Sequence, residues 1–340
     1  MNRSLPVIVG IDNGGTTNNV TVLDDDGRFL VDRLIESPSR VREGPEPALD
    51  ALTGAFHSVL LATGLEPAAV VGVGLDTPGP ASADGVISIK GSTNFEHPGW
   101  QGFDIRGALS DRLGLPVTYL NDGNAAALYA HRAYLGAQGA ERSSVSVVVG
   151  TGLGGGLVQA GQVISGTAGM AGELGHVRLA MDGLLEDGQP VPVCGCGNTG
   201  DAESIASLTG IRQNLLPYWL SRHPGHPLRG LPIDEAARQV RDYGERGDVM
   251  ALRVFEQQAT AIGRLFTVIA NVTDPDVYLL GGGVVETDPR FRDWFLARVR
   301  EHTALRAEQA AVARFALTPD RDMAGARGAA LAARAATNRT

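Results

Sequence analysis

Glycine is the residue that most constrains this chain. It supplies 45 of the 340 residues, nearly twice the usual share of about 7%, and the copies are clustered. Each main cluster follows a short, apolar, β-branched run. Residues 6–11 lead into Asp12-Asn13-Gly14-Gly15-Thr16-Thr17, after which residues 19–23 resume a strand pattern. Residues 145–149 lead into Gly150-Thr151-Gly152-Leu153-Gly154-Gly155-Gly156, and residues 157–163 resume it. A third run, 277–280, enters Gly281-Gly282-Gly283. Strand, glycine turn, strand reads as a hairpin, and its recurrence in both halves predicts two domains on one plan. The standard nucleotide loops do not fit. A Rossmann turn needs a helix directly after its glycines, and no Gly-Lys-Ser/Thr of the Walker type is present. A hairpin-type phosphate site fits better.

The remaining pattern is α/β. A helix is predicted over 45–63, with Ala48, Leu49, Leu52 and Phe56 at helical spacing, then a buried strand over 70–75. A second helix covers 105–113, and a strand over 117–120 ends at Asn121-Asp122. From 201 onward the pattern is mostly helical, including an amphipathic stretch over 248–271 and a small-residue helix over 324–336. The stretch 222–232, rich in Pro, Gly and His, reads as a surface loop carrying His223 and His226. The domain boundary is expected near Leu120. Residues 1–120 form a smaller α/β domain, joined by the C-terminal helix over about 322–337, and residues 121–321 form a larger one. A hinge there makes a cleft faced by both glycine turns.

Hydrophobic residues make up 43% and charged residues 20%, with a formal net charge of −9. Such a chain buries a core and is not disordered. No basic block offers a nucleic-acid surface. No apolar run reaches the roughly 18 residues of a membrane span, and nothing resembles a secretion signal. The two cysteines, Cys194 and Cys196, are too close for a structural bridge and suit a cytoplasmic thiol or metal pair.

Four clusters carry chemistry, the Gly150–Gly156 turn among them as a further phosphate-loop candidate. In the first glycine turn, backbone N–H groups can approach an oxyanion, threonine hydroxyls add donors, and Asp12 suits Mg2+ held through water. The same residues also make an ordinary hairpin turn. Asn121-Asp122-Gly123-Asn124 opens a helix at a strand end, where an aspartate serves as a base or as an N-cap. Glu173-Leu174-Gly175-His176, Cys194-Gly195-Cys196-Gly197 and Asp201 offer sulfur, nitrogen and oxygen ligands for zinc. Their bland alternative is a pair of core thiols beside a satisfied histidine.

Together these clusters resemble, in order and spacing, the ROK family of bacterial sugar kinases and their repressor relatives, from about residue 7 to residue 333. Asn94 with Gly99-Trp100, Glu203 and Gly281-Gly282-Gly283 complete the match. The resemblance implies a two-domain actin-like ATPase (ribonuclease H-like) fold with an interdomain cleft. It implies ATP- and Mg2+-dependent transfer of phosphate to the 6-hydroxyl of a hexose, glucose first. Asp122 would be the general base, and Asn94, Asn121, Glu173, His176 and Glu203 would contact the sugar. Asp12, Gly14, Gly15, Thr16, Thr17, Thr151 and Gly152 would cradle phosphates and Mg2+, with Gly282 and Gly283 against adenosine. A structural Zn2+ would rest on His176, Cys194, Cys196 and Asp201, and the chain would form a homodimer or homotetramer in the cytoplasm.

Three departures stand out. Thr17 occupies a position where family members often carry lysine, so no charge is supplied there. Asp201 replaces the family's third zinc cysteine. The segment 94–100 is longer than the family's usual run. It opens the alternatives of fructose, mannose, an N-acetyl amino sugar such as N-acetylmannosamine, or a cyclitol as acceptor. Thr17 also leaves room for a non-catalytic sugar-binding protein. A repressor is not expected, because only six residues precede Val7 and the net charge is negative.

Overall fold

The computed structural model describes residues 6–88, 94–319 and 322–338. They form two compact units: Met1–Glu141 with Gly156–Gly172 and Pro319–Thr340, and Arg142–Gly155 with Glu173–Thr318. The first unit therefore continues past Leu120 to Glu141.

The first unit is built on a five-stranded sheet of order β3-β2-β1-β4-β5. Strands β1 (Val7–Asn13) and β2 (Thr17–Leu23) are the antiparallel hairpin, and β3 (Glu36–Pro38) extends its edge. Strands β4 (Val70–Thr77) and β5 (Val117–Asn121) run parallel to β1. Parallel strands covered on both faces read as continuous apolar runs, and β1 and β4 do. Helix α1 (Pro45–Thr63) starts with proline at its first position and stops at Gly64 in the left-handed conformation, φ 68°. Its apolar stripe of Leu49, Leu52, Phe56 and Val59 buries against Val9, Ile11, Val20 and Val22, with α2 (Ile105–Leu113) on the same core. Helix α3 (Asp122–Leu135) follows β5 without a linker, because the Asn121 side chain accepts from Gly123 N (2.9 Å) and caps it.

A second sheet has the order β10-β9-β6-β7-β8, made of β6 (Ser144–Val149), β7 (Leu153–Gln159), β8 (Gln162–Val163), β9 (Val277–Gly282) and β10 (Arg314–Leu317). Its helices are the short α4 (Glu203–Ala206) and α5 (Leu208–Gly210), then α6 (Leu216–Arg222), α7 (Ile233–Glu245), α8 (Val249–Thr273), α9 (Pro289–Glu301) and α10 (Ala307–Val312). Asp248 caps α8 by accepting from Ala251 N at 2.9 Å, and Phe255, Ile262, Phe266 and Ile269 are buried along it.

The chain closes with α11 (Ala324–Thr337), which lies on the first unit. Its small residues let backbone meet backbone. A Cβ on Gly10 of β1 would sit 2.0 Å from Ala326 O, and one on Gly74 of β4 would sit 2.0 Å from Ala329 O. A helix this close leaves no room for a side chain at either of these two positions.

Some expectations are corrected. The second glycine turn is shorter than it reads, since β7 begins at Leu153 and takes in Gly154, Gly155 and Gly156. The glycines there serve packing, because a Cβ on Gly155 would fall 2.6 Å from Ser146 O. His226 is not a loose loop residue. Its side chain is buried, 3.2 Å from Asp248 and against the Tyr243 ring. The edge strands β3 and β10 were not anticipated. Among the described residues, no helix is long and apolar enough to cross a membrane.

Candidate active site

In the first unit, three acids stand at neighbouring strand ends. Asp12 is directly across from Asp76 on β4, and Asp76 pairs with Leu120 on β5, one residue before Asn121-Asp122. Asp12 Oδ2 accepts from Asn19 Nδ2 at 3.2 Å. Burial pushes the Asp12 carboxyl above its usual range, against the lowering effect of hydrogen bonds from Asn19 and Asp76. Asp76 is raised much further, by complete burial first and by the Asp12 and Asp122 charges next. Asp122 differs: it is exposed, at the first position of α3, where the positive end of the helix dipole favours a carboxylate. Its Oδ1 accepts from Gly123 N at 2.7 Å, which fixes its direction while leaving it open to solvent and substrate.

The turn itself is tight. Gly14 N donates to Thr17 O (2.9 Å), so Thr17 already belongs to β2 and pairs with Pro38. Gly15 has to be glycine, because a Cβ there would lie 2.2 Å from Asn94 Oδ1. That contact brings the predicted phosphate turn and the predicted sugar contact together. The segment 94–100 is pinned at both ends by core aromatics. Phe95 and Trp100 are fully buried and edge-to-face, 4.9 Å between centroids, and Trp100 Nε1 donates to Val41 O at 2.7 Å. Glu96 and His97 between them are exposed.

In the second unit, Glu203 joins two predicted features. Its Oε2 accepts from Leu153 N (2.9 Å) in the glycine turn and lies 2.7 Å from where a Gly152 Cβ would be. Its Oε1 is 3.5 Å from Cys194 Sγ. A cavity of about 290 Å³ opens beside the turn, lined by Gly150, Thr151, Leu208, Ile211, Arg241 and Gly283 among others. Gly282 holds φ 99°, and a Cβ there would sit 1.9 Å from Val149 O. Arg241 Nη1 donates to Gly283 O at 2.6 Å. The apolar wall with a few polar groups suits a flat heterocycle. Glu173 and His176 are exposed, either side of a short turn closed by His176 N donating to Glu173 O (3.2 Å).

His176, Cys194, Cys196 and Asp201 place one ligand atom each within 4.8 Å of one another. His176 Nδ1 is 3.4 Å from Asp201 Oδ2 and 3.9 Å from Cys194 Sγ, and Cys196 Sγ is 3.8 Å from Asp201 Oδ2. Ligands about 2.0–2.3 Å from a tetrahedral Zn2+ would be roughly 3.3–3.8 Å apart. The donor set therefore fits zinc, with Asp201 as the oxygen ligand. Burial pushes the Cys194 thiol up, the cost a bound cation would remove.

Sequence reasoning missed Asp76, Arg241, Leu208 and Ile211. Asp76 carried a usable signal, since it is the first acid after a buried strand, as Asp12 is.

The geometry has parallels among known proteins. The glucokinase of Thermotoga maritima is 30% identical over 279 residues, 82% of each chain. The N-acetylmannosamine kinase of Citrobacter koseri is 30% identical over 327 residues, covering 96% of this chain and 98% of its own. The crystal structure of the ROK hexokinase from Thermus thermophilus superposes with a TM-score of 0.77 at 30% identity, covering 98% of this chain and all of that one. The fold is thus the actin-like ATPase fold of those kinases. The ROK family profile matches residues 8–336, nearly the whole chain, and the protein belongs to the ROK family.

Proposed function

We propose that this chain transfers the γ-phosphoryl group of ATP to the 6-hydroxyl of a hexose, with glucose as the acceptor, in the cytoplasm. The chain is a sugar kinase by family and by its relatives. The observation that carries the mechanism is Asp122: an exposed carboxylate on a capped helix start, beside a glycine turn whose own acid is Asp12. Asp122 takes the proton from the attacking hydroxyl. Asn94 and Asn121 of the first unit, and Glu173, His176 and Glu203 of the second, hydrogen-bond the sugar. Each buried polar group left unmatched by a wrong acceptor lowers affinity.

Asp12, Gly14, Gly15, Thr16 and Thr17 of the first unit, with Thr151 and Gly152 of the second, hold the phosphates, and Gly282 and Gly283 flank the adenosine. Mg2+ on Asp12 neutralises phosphate charge when bound, the role a lysine at position 17 would otherwise share. His176, which also offers a ring nitrogen to zinc, orients the sugar through its remaining nitrogen. The active form is a homodimer or homotetramer.

A second acceptor has a specific basis. The N-acetylmannosamine kinase relative matches over more of the chain than the glucokinase does, and exposed Glu96 and His97 lengthen the segment beside Asn94. ADP release with Mg-ATP across glucose, mannose, fructose, N-acetylmannosamine, N-acetylglucosamine and cyclitols tests both. A dominant glucose signal supports the first reading. A dominant signal from another acceptor moves specificity to residues 94–100, and silence on every acceptor removes the kinase reading.

A further inference from the structure

We propose that Asp12 and Asp76 jointly form a divalent-cation site that takes Mg2+ or Mn2+ without nucleotide. The inference deepens the reading of Asp12 above and rests on that reading for the use of the ion, though not for its binding. Asp12 and Asp76 occupy paired positions on adjacent parallel strands. Both project on the face where Gly10 and Gly74 meet α11, two residues further along each strand.

The independent observation is the state of Asp76. Its side chain is fully buried, and neither carboxylate oxygen accepts a hydrogen bond from any described N–H or hydroxyl. Thr77 and Tyr119, the nearest hydroxyls in sequence and register, are spent on each other at 2.7 Å. Apart from Asp76 itself, Asp12 has only Asn19 as a donor, and among the described residues neither carboxylate has an ion-pair partner. The next charge is Asp122, of the same sign. A buried carboxylate pair with a single amide donor between them is costly. The start of α11 closes over it, since a Cβ on Gly325 would lie 2.8 Å from the Asp12 carboxyl carbon.

A cation between the two carboxylates satisfies both at once. The donors are hard oxygens, which match Mg2+ and Mn2+, unlike the sulfur-containing cluster around Cys194. Asp12 is only partly buried, so an ion enters from its side and keeps waters there. One carboxylate alone holds Mg2+ mainly with the help of nucleotide phosphates. Two let the protein load the metal first. The competing occupant is a proton shared between the two carboxyl groups.

The test is Mn2+ titration of the nucleotide-free protein, with free Mn2+ read by electron paramagnetic resonance. One site per chain, displaced by Mg2+ and weakened at least tenfold in both Asp76→Asn and Asp12→Asn, is the expected result. Circular dichroism of each variant guards against unfolding, and the two variants back each other if one fails to fold. No Mn2+ binding by the wild type, or unchanged binding in a folded Asp76→Asn, overturns the proposal and leaves the shared proton. ADP formation without nucleotide-free Mn2+ binding sinks the cation site alone. Mn2+ binding with no ADP on any acceptor sinks the kinase reading alone.

Discussion

Two aspartates about 110 positions apart in sequence show how much environment decides: Asp12 is held by Asn19 and partly buried, whereas Asp122 faces solvent on a helix start. A base must be reachable and ionised, so Asp122→Asn should lower turnover by about 10²–10⁴-fold, and calorimetry should find sugar affinity nearly unchanged. Turnover within a factor of a few of wild type would move the base elsewhere. The register of β1, β4 and β5 brings the strand ends of the two aspartates to the same edge of the sheet. The glycines at 282 and 283 separate two roles. Gly282 meets both a backbone oxygen and a left-handed φ, so Gly282→Ala should cost about 1–3 kcal/mol in urea unfolding. Gly283 faces only Arg241 Nη1, at 3.9 Å, so Gly283→Ala should leave stability almost unchanged and weaken nucleotide binding instead. Equal midpoints for the two variants would contradict this division.

At the scale of elements, α8 and α9 are clamped by one acid. Glu256 on α8 accepts from Arg298 Nε (2.8 Å) and lies 2.7 Å from His302 Nε2, just beyond α9. Partial burial pushes its carboxyl up, but hydrogen bonds and charge from Arg298 and His302 win, and the net shift is downward. A carboxyl lowered in the folded state binds its proton more readily when unfolded. It therefore stabilises the fold above the ordinary pKa of 4.5 and loses that contribution as pH falls through the lowered value. Glu256→Gln should unfold at a lower temperature than wild type near neutral pH, with the gap closing as pH falls below 4.5 and through the lowered carboxyl value. A gap independent of pH would mean that packing alone is at work. The long elements here were legible from residues alone: α1 and α2 match their apolar spacing end to end. β3 and β10 were not, because three or four residues at a sheet edge, one of them Pro38, carry no periodicity. The 150–156 glycines misled for a related reason. In a strand pressed against Ser146 O, glycine signals close approach as strongly as it signals a turn.

At the scale of the molecule, contacts between distant segments were the illegible part. The return of residues 156–172 to the first unit depends on pairings that no local pattern encodes. The candidate site was more legible, because its residues sit at strand ends and helix starts, where polar residues break apolar runs. Asp201 is the informative exception: fully buried, it hydrogen-bonds Ser204 N (2.9 Å) and faces His176 and Cys196. The stretch from His176 to Asp201 contains little regular structure and is tied by isolated bridges between Arg178 and Asp201 and between Val193 and Thr199. A metal that joins its two ends would close this loop and remove much of its freedom in the unfolded chain. Protein purified without chelator should carry about one zinc per chain, and Asp201→Ala should lose it. Chelation should then speed amide hydrogen exchange within 176–202 while β1, β4 and β5 keep their protection, because their core is separate from that loop. Unchanged exchange after the metal is stripped would mean that the four side chains hold the loop by their own hydrogen bonds, and uniform loss across both units would mean that the metal governs the whole fold.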